Sequence, residues 1–211
     1  MEDPRKHQPY ILVNEFTEDA VKKFKEDFDR LKHSDLPCIP IFIDSFGGEI
    51  YSLMAMLDIM ESVEIPKATI ALGKAMSCGS ILLASGNPGL RFIGKYSTVM
   101  IHDAGKVSWG KIEDLKADVR EAERLNEVLY KLLSEKCNQP TDYFKKEVEK
   151  RKHIDWFLSA EEARKHKIVD HVGIPYFSEM QTLGLLQFPA PKKEKKPTLK
   201  KKIEKKDAKK Q

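Results

Sequence analysis

Three side chains in this sequence have the types and settings that nucleophilic catalysis requires. Ser77 lies in Gly73-Lys-Ala-Met-Ser77-Cys-Gly-Ser-Ile-Leu-Leu83, where a strand-like run passes into a helix-like one. His102 closes the apolar run Ser97-Thr-Val-Met-Ile-His102, and Asp155 stands in His153-Ile-Asp-Trp-Phe-Leu-Ser-Ala160. A serine hydroxyl attacks only when a base removes its proton, and that base needs an acid to orient it. At a strand–turn–helix junction, free backbone N–H groups at the start of the helix could stabilise a developing oxyanion. Gly73 and Gly79 would let neighbouring backbone approach closely.

Each of these residues also has a plain structural reading. Ala-Met-Ser-Cys-Gly-Ser reads equally as small residues packing a helix tightly against a sheet. A histidine after an apolar strand can be a core residue satisfied by backbone, although His7 and His33 look exposed and His153, His166 and His171 sit in polar stretches. Asp155 competes with Asp44, Asp103 and Asp170 for the role of orienting acid. Asp103, next to His102, would point to the opposite face of an extended strand. Gly47-Gly48 reads as a turn, or as a turn that aims one N–H into a pocket. Cys78 is offset from Ser77 by about 100° on a helix and is not expected to be the nucleophile.

The elements that must position these residues follow from periodicity. Residues 10–15 read as a strand. Thr17 is an N-cap followed by acidic residues 18 and 19, and Val21, Phe24, Phe28 and Leu31 form one helical stripe to about Lys32. Residues 40–44 are a short apolar run typical of a buried strand. Helical spacing resumes over 50–64, then a strand over 69–72, a buried helix over 77–85 ended by Gly86, Pro88 and Gly89, and a strand over 96–102. Ile112 to about Lys136 keeps helical spacing for six turns, longer than a compact domain of this size needs, so it is expected to project or support assembly. A helix over 142–152, an N-cap at Ser159 with Glu162 in the reciprocal position, and a strand over 168–172 complete the pattern. Repeated strand–helix alternation predicts an α/β sheet with helical crossovers.

Charge is unevenly spread. Residues 192–211 hold eleven lysines and three acidic residues, a net of +8, which leaves the other 191 residues at −4 although the whole chain is +4. The division expected is a domain over 1–188 and a Lys-rich disordered tail over 189–211. The tail is a solubilising extension or an electrostatic handle for an acidic partner; it has no interleaved aromatics for reading bases. Three widely spaced cysteines form no disulfide framework or metal-site spacing. The start lacks the apolar stretch of a signal peptide, and no run reaches the eighteen or so apolar residues of a membrane span, so a cytoplasmic location is expected.

Taken in order, the motifs resemble those of the Clp protease proteolytic subunit family, ClpP. That family has Ser-Pro-Gly-Gly at a strand end, Gly-Met-Ala-Ala-Ser-Met-Gly around its nucleophile, Val-Met-Ile-His at its base, and an Asp before Leu-Ser-Ala-x-Glu-Ala. Here they stand as Ser45-Phe-Gly-Gly48, Gly73-Lys-Ala-Met-Ser77-Cys-Gly79, Val99-Met-Ile-His102 and Asp155-Trp-Phe-Leu-Ser-Ala-Glu-Glu-Ala163, within a similarity over about 38–173. The resemblance implies a ClpP/crotonase-type repeated β-β-α fold. It assigns Ser77 as nucleophile, His102 as base, Asp155 as orienting acid, and the N–H groups of Gly48 and Cys78 as oxyanion hole. It implies peptide hydrolysis through an acyl-enzyme, without metal or nucleotide cofactor in this subunit, on extended polypeptides bound as an added strand. It also implies a homo-oligomer of heptameric rings, stacked as a tetradecamer through the long helix.

The sequence departs from the family pattern at Phe46, Lys74, Met76 and Cys78, and at Asp103-Ala-Gly-Lys-Val-Ser-Trp109 after the histidine. Only nine residues precede the first strand, where the family's axial loops meet an AAA+ unfoldase, so little sequence is available there to carry such a partner. Two other classes share the outline: a catalytically silent structural subunit of a mixed ring, and a crotonase-like acyl-CoA enzyme. The second has no use for a serine nucleophile at position 77. Signal peptide peptidase A, a further neighbour, uses a Ser–Lys pair and a membrane anchor.

Overall fold

The structure, a computed structural model, describes residues 8–34, 36–105, 109–177 and 186–187. The Lys-rich tail over 189–211 lies outside the described residues. The elements run β1 (Ile11–Val13), α1 (Glu18–Leu31), β2 (Ile39–Ser45), α2 (Ile50–Glu61), β3 (Lys67–Met76), α3 (Cys78–Ala84), β4 (Arg91–Ile93), β5 (Thr98–Ile101), α4 (Ile112–Lys136), α5 (Tyr143–Lys150), β6 (Trp156–Ser159), α6 (Ala160–Lys165) and β7 (His171–Val172). A two-residue pairing of 176–177 with 186–187 stands apart from the main sheet.

The predicted α/β sheet is present, and its branching decides where the site falls. Strands β1, β2, β3, β4 and β7 are parallel neighbours in that order. The middle strand serves two partners. Its first half pairs with β4 (Thr69 with Arg91, Ala71 with Ile93) and its second half pairs with β5 (Lys74 with Thr98, Met76 with Met100). From β5 the sheet continues only to β6, which is antiparallel. The result is a parallel trunk and a short branch, both growing from β3.

Local sequence explains most of these elements. Thr17 caps α1 by accepting from the Ala20 amide at 3.2 Å, and Phe24, Phe28 and Leu31 turn inward. Ile39, Ile41 and Ile43, which share one face of β2, are fully buried, whereas Phe42 and Asp44 on the other face are partly covered. Every residue of α3 is buried, which is why its sequence is apolar all round. Ser159 and Glu162 form the reciprocal capping box that starts α6.

The long helix spans the predicted 112–136, but its apolar stripe is buried only in part. Leu125, Tyr130 and Leu133 pack into the core, whereas Ile112 and Val119 are 70% and 57% exposed. At about 1.5 Å per residue the helix is some 37 Å long, and its first half leaves the apolar side chains Ile112 and Val119 uncovered.

One ion pair fastens the far side of the trunk. Arg91 on β4 reaches both carboxylate oxygens of Asp170 (Nε–Oδ2 2.9 Å, Nη2–Oδ1 2.5 Å) and donates Nη1 to the Lys136 carbonyl at the end of α4. Burial pushes the Asp170 carboxyl up, but Arg91 and the amides of Arg91 and Gly89 outweigh it and hold the group below its ordinary value. Removing one partner of a buried pair strands the other charge. Arg91→Leu is therefore expected to cost about 3 kcal/mol in urea unfolding. Because the folded-state pKa is depressed, this stabilisation is complete above the ordinary carboxylate range and is lost as pH falls from there through the lowered folded-state pKa. The stability gap between wild type and Asp170→Asn should accordingly narrow on acidification.

Candidate active site

Sheet register brings the three residues together. The parallel pairing of Met76 with Met100 ends β3 and β5 side by side, so Ser77 and His102 emerge at the same end of the branch. In the antiparallel pair, Ile101 faces Trp156, and the next step along that register sets His102 against Asp155. His102 Nε2 lies 2.9 Å from Ser77 Oγ, a hydrogen bond with the serine hydroxyl as donor when Nε2 is unprotonated. His102 Nδ1 lies 3.6 Å from Asp155 Oδ1, an ion-pair contact longer than a hydrogen bond. The His102 side chain is about one-third exposed and that of Asp155 about half.

Ser77 is held in an unusual backbone conformation, φ 52° and ψ −121°. Such a conformation persists in a non-glycine residue only where its surroundings enforce it. Here the Ser77 amide donates to the Met100 carbonyl at 2.9 Å, and the Ser77 carbonyl accepts from the Ser80 amide and hydroxyl at 2.9 and 2.7 Å. Its own hydroxyl makes no capping bond to α3, which leaves it for His102. The turn 45–48 closes over this point. A Cβ on Gly47, at φ +107°, would sit 2.6 Å from the Ser77 Cβ, so only glycine fits.

Gly48, at φ +151°, packs against Phe16 and accepts from the Cys78 thiol through its carbonyl at 3.3 Å. Burial pushes that thiol up to about 11, which suits a packing role and not a thiolate nucleophile. Cys78 is the first residue of α3, so its N–H has no partner within the helix. Beside the Ser77–His102 pair is a pocket lined largely by Ile50, Ile81, Leu129, Tyr130 and Leu133.

The competing carboxylates separate cleanly. Asp44 pairs with Lys74 at 2.6 Å, and Lys74 also stands 4.5 Å from the centre of the Phe46 ring. Two of the residues that depart from the family pattern thus touch each other. Asp170 belongs to Arg91. Asp103 turns away from His102, as its position after a strand end predicts, and meets Tyr130 and His153. Burial, with the bond to Asp103, pushes the Tyr130 phenol well above its ordinary value. Two histidines are less polar in setting than their sequence neighbourhoods suggest: His166 packs edge-on to Trp156 at 4.8 Å and His171 stacks on Phe92 at 5.0 Å.

Three participants were hidden in the sequence. Gly47, rather than Gly48, is the glycine in contact with Ser77. Asn126 accepts from the Ala104 amide at 2.7 Å, and Tyr130 holds Asp103 at 2.6 Å, both from α4. Their four-residue spacing beside Leu125 and Leu129 places polar atoms on a half-buried helix face, and that was the available signal. Among the described residues no group of His, Cys, Asp and Glu converges as a metal site, and no helix is long and apolar enough to cross a membrane.

A serine hydrogen-bonded to a histidine at the strand ends of an α/β sheet is consistent with a serine-protease-type arrangement. The Clp protease family profile matches residues 11–175, and the chain belongs to that family. It is 33% identical over 134 residues to the ATP-dependent Clp protease proteolytic subunit of Deinococcus radiodurans. That alignment covers 64% of this chain and 64% of the relative's length.

Proposed function

We propose that the chain is a serine endopeptidase in which Ser77 is the nucleophile, His102 the general base and then acid, and Asp155 the orienting carboxylate. The 2.9 Å contact between Ser77 Oγ and His102 Nε2 carries this reading. His102 takes the hydroxyl proton as Oγ attacks the scissile carbonyl. The N–H groups of Gly48 and Cys78 receive the oxyanion. His102 then protonates the leaving amine, and a water activated by the same imidazole hydrolyses the acyl-enzyme. The mostly apolar pocket beside Ser77 favours an apolar side chain before the scissile bond, and extended polypeptides bound through their main chain are the substrate class.

The uncovered first half of α4 supports assembly through that helix, as stacked heptameric rings enclosing the sites. The branched sheet fits the crotonase-type superfold. A second reading has an observation of its own: at 3.6 Å Asp155 is not hydrogen-bonded to His102, as in a subunit that is structural and catalytically silent.

A fluorophosphonate probe with mass mapping separates the two. Labelling at Ser77 that disappears in Ser77→Ala and weakens in His102→Ala is the expected result. Absence of labelling in the assembled oligomer would favour the silent subunit.

A further inference from the structure

A second pair of side chains joins the segments that carry the base and the acid. Asp103 follows His102 and presents its carboxylate on the opposite side of the chain. There Oδ1 accepts from the Tyr130 hydroxyl at 2.6 Å, and Oδ2 lies 2.7 Å from His153 Nδ1. The neighbouring Ala104 amide is tied to Asn126 Oδ1 at 2.7 Å. Since Asn126 and Tyr130 both belong to α4, the stretch 102–104 is anchored to the long helix at two points.

Asp155 has no such side-chain anchor among the described residues, although the next residue, Trp156, is paired with Ile101. Among the described residues its carboxylate makes no hydrogen bond, and its one ion pair is the 3.6 Å contact with His102. The chain behind it, after α5, passes through two successive left-handed residues, Lys152 (φ 54°) and His153 (φ 59°). Non-glycine residues adopt this conformation at a cost and keep it only where contacts hold them. The backbone bonds of the turn run to α5 or within the turn itself: Lys152 N to the Glu149 carbonyl, His153 N to Val148, Ile154 N to Arg151. None of these reaches the active site. Among the described residues, the hydrogen bond from this turn to the 102–104 segment is made by the His153 side chain.

We infer that His153 and Asp103 are positioning residues, whose pairing clasps the 151–155 turn to the end of β5 and refines the separation of His102 and Asp155 that the Ile101–Trp156 register brings about. This rests on the Ser77–His102–Asp155 reading. The two segments are bridged by two His–Asp contacts of opposite sense: 102 to 155, which does the chemistry, and 153 to 103, which holds the frame. With His153 removed, Asp103 keeps its bond to Tyr130, and the turn carrying Asp155 loses its side-chain link to the base. A misplacement of about 1 Å in such a constellation can cost on the order of a hundredfold in rate.

The test compares His153→Ala, His153→Asn, Asp155→Ala and the double variant His153→Ala/Asp155→Ala in the full-length chain. The readouts are turnover of a fluorogenic peptide with an apolar residue before the scissile bond, and the melting temperature. His153→Ala should lower kcat at least about tenfold with KM changed less than about twofold. His153→Asn, which can place an amide N–H near the position of Nδ1–H, should recover most of the loss. In the Asp155→Ala background the His153 change should add nothing, because the group it positions is gone. Wild-type kcat in His153→Ala beside a slow Asp155→Ala would overturn this inference alone. So would losses that multiply in the double variant, the pattern of general destabilisation. Full turnover in Asp155→Ala would overturn the triad reading and this inference with it.

Discussion

Replacing Asp155 with asparagine is expected to slow peptide turnover about a thousandfold while leaving KM and the melting temperature near wild type. Two effects combine. When His102 takes the serine proton it becomes a cation 3.6 Å from a carboxylate. At an effective dielectric near 20 such a pair is worth about 4 kcal/mol, and the half-exposure of Asp155 screens about half of that. The rest is orientation, since an asparagine amide turned toward Nδ1 favours the wrong imidazole tautomer, which alone can be severe in Ser–His–Asp enzymes. A total near 4 kcal/mol is about three powers of ten in rate. Steady-state kinetics on a fluorogenic peptide, with a thermal melt of the same sample, reads both quantities. Unchanged turnover would remove Asp155 from the mechanism.

Gly47→Ala should sharply reduce reaction at Ser77 although it replaces none of the side chains assigned to the chemistry. The new methyl would lie 2.6 Å from the Ser77 Cβ and 3.0 Å from the Met76 carbonyl oxygen, in a backbone conformation that L-residues avoid. Neither neighbour can give way easily: the serine is pinned through its amide and carbonyl, and Met76 is in register with β5. The strain of the positive φ costs about 1–3 kcal/mol, and relief of the clash must move the nucleophile or the turn. Fluorophosphonate labelling should fall at least about a hundredfold, with a lower melting temperature. Gly89→Ala is the control. It shares a positive φ of 84°, but its new methyl meets nothing within 4 Å, so it should cost stability and leave labelling unchanged.

How much of this was legible in the chain depended on whether a feature is local. The span of α4, the Thr17 cap and the Ser159–Glu162 box are written in neighbouring residues and were found in place. β4 and β6 were not anticipated. Arg91–Ile93 and Trp156–Ser159 are three and four residues long, too short to show a period, and Trp-Phe-Leu-Ser leads straight into a helix signal. β3 was read as ending at Leu72, because Gly73 and Lys74 look like a break; in fact it continues to Met76 and exchanges β4 for β5 as partner. Asp155 could not be chosen over Asp44, Asp103 and Asp170 on composition alone. The pairing of β5 with β6, a relation between residues about 55 apart, decides among them.

That pairing has a consequence for how such a protein can diverge. Two strand alignments, Met76 with Met100 and Ile101 with Trp156, bring Ser77, His102 and Asp155 to one end of the branch, and the turn before Asp155 adjusts only their final spacing. A slip of one residue in either would turn a catalytic side chain to the wrong face, so those alignments are unforgiving. Apart from Gly47 and Asp103, the surroundings are under less constraint. Phe46, Lys74 and the segment after His102 have drifted from the pattern of the family, yet the Ser77–His102 contact stands at hydrogen-bonding distance. The branch of the sheet works as a chassis: residues around it can be exchanged while the contact between Ser77 and His102 is kept.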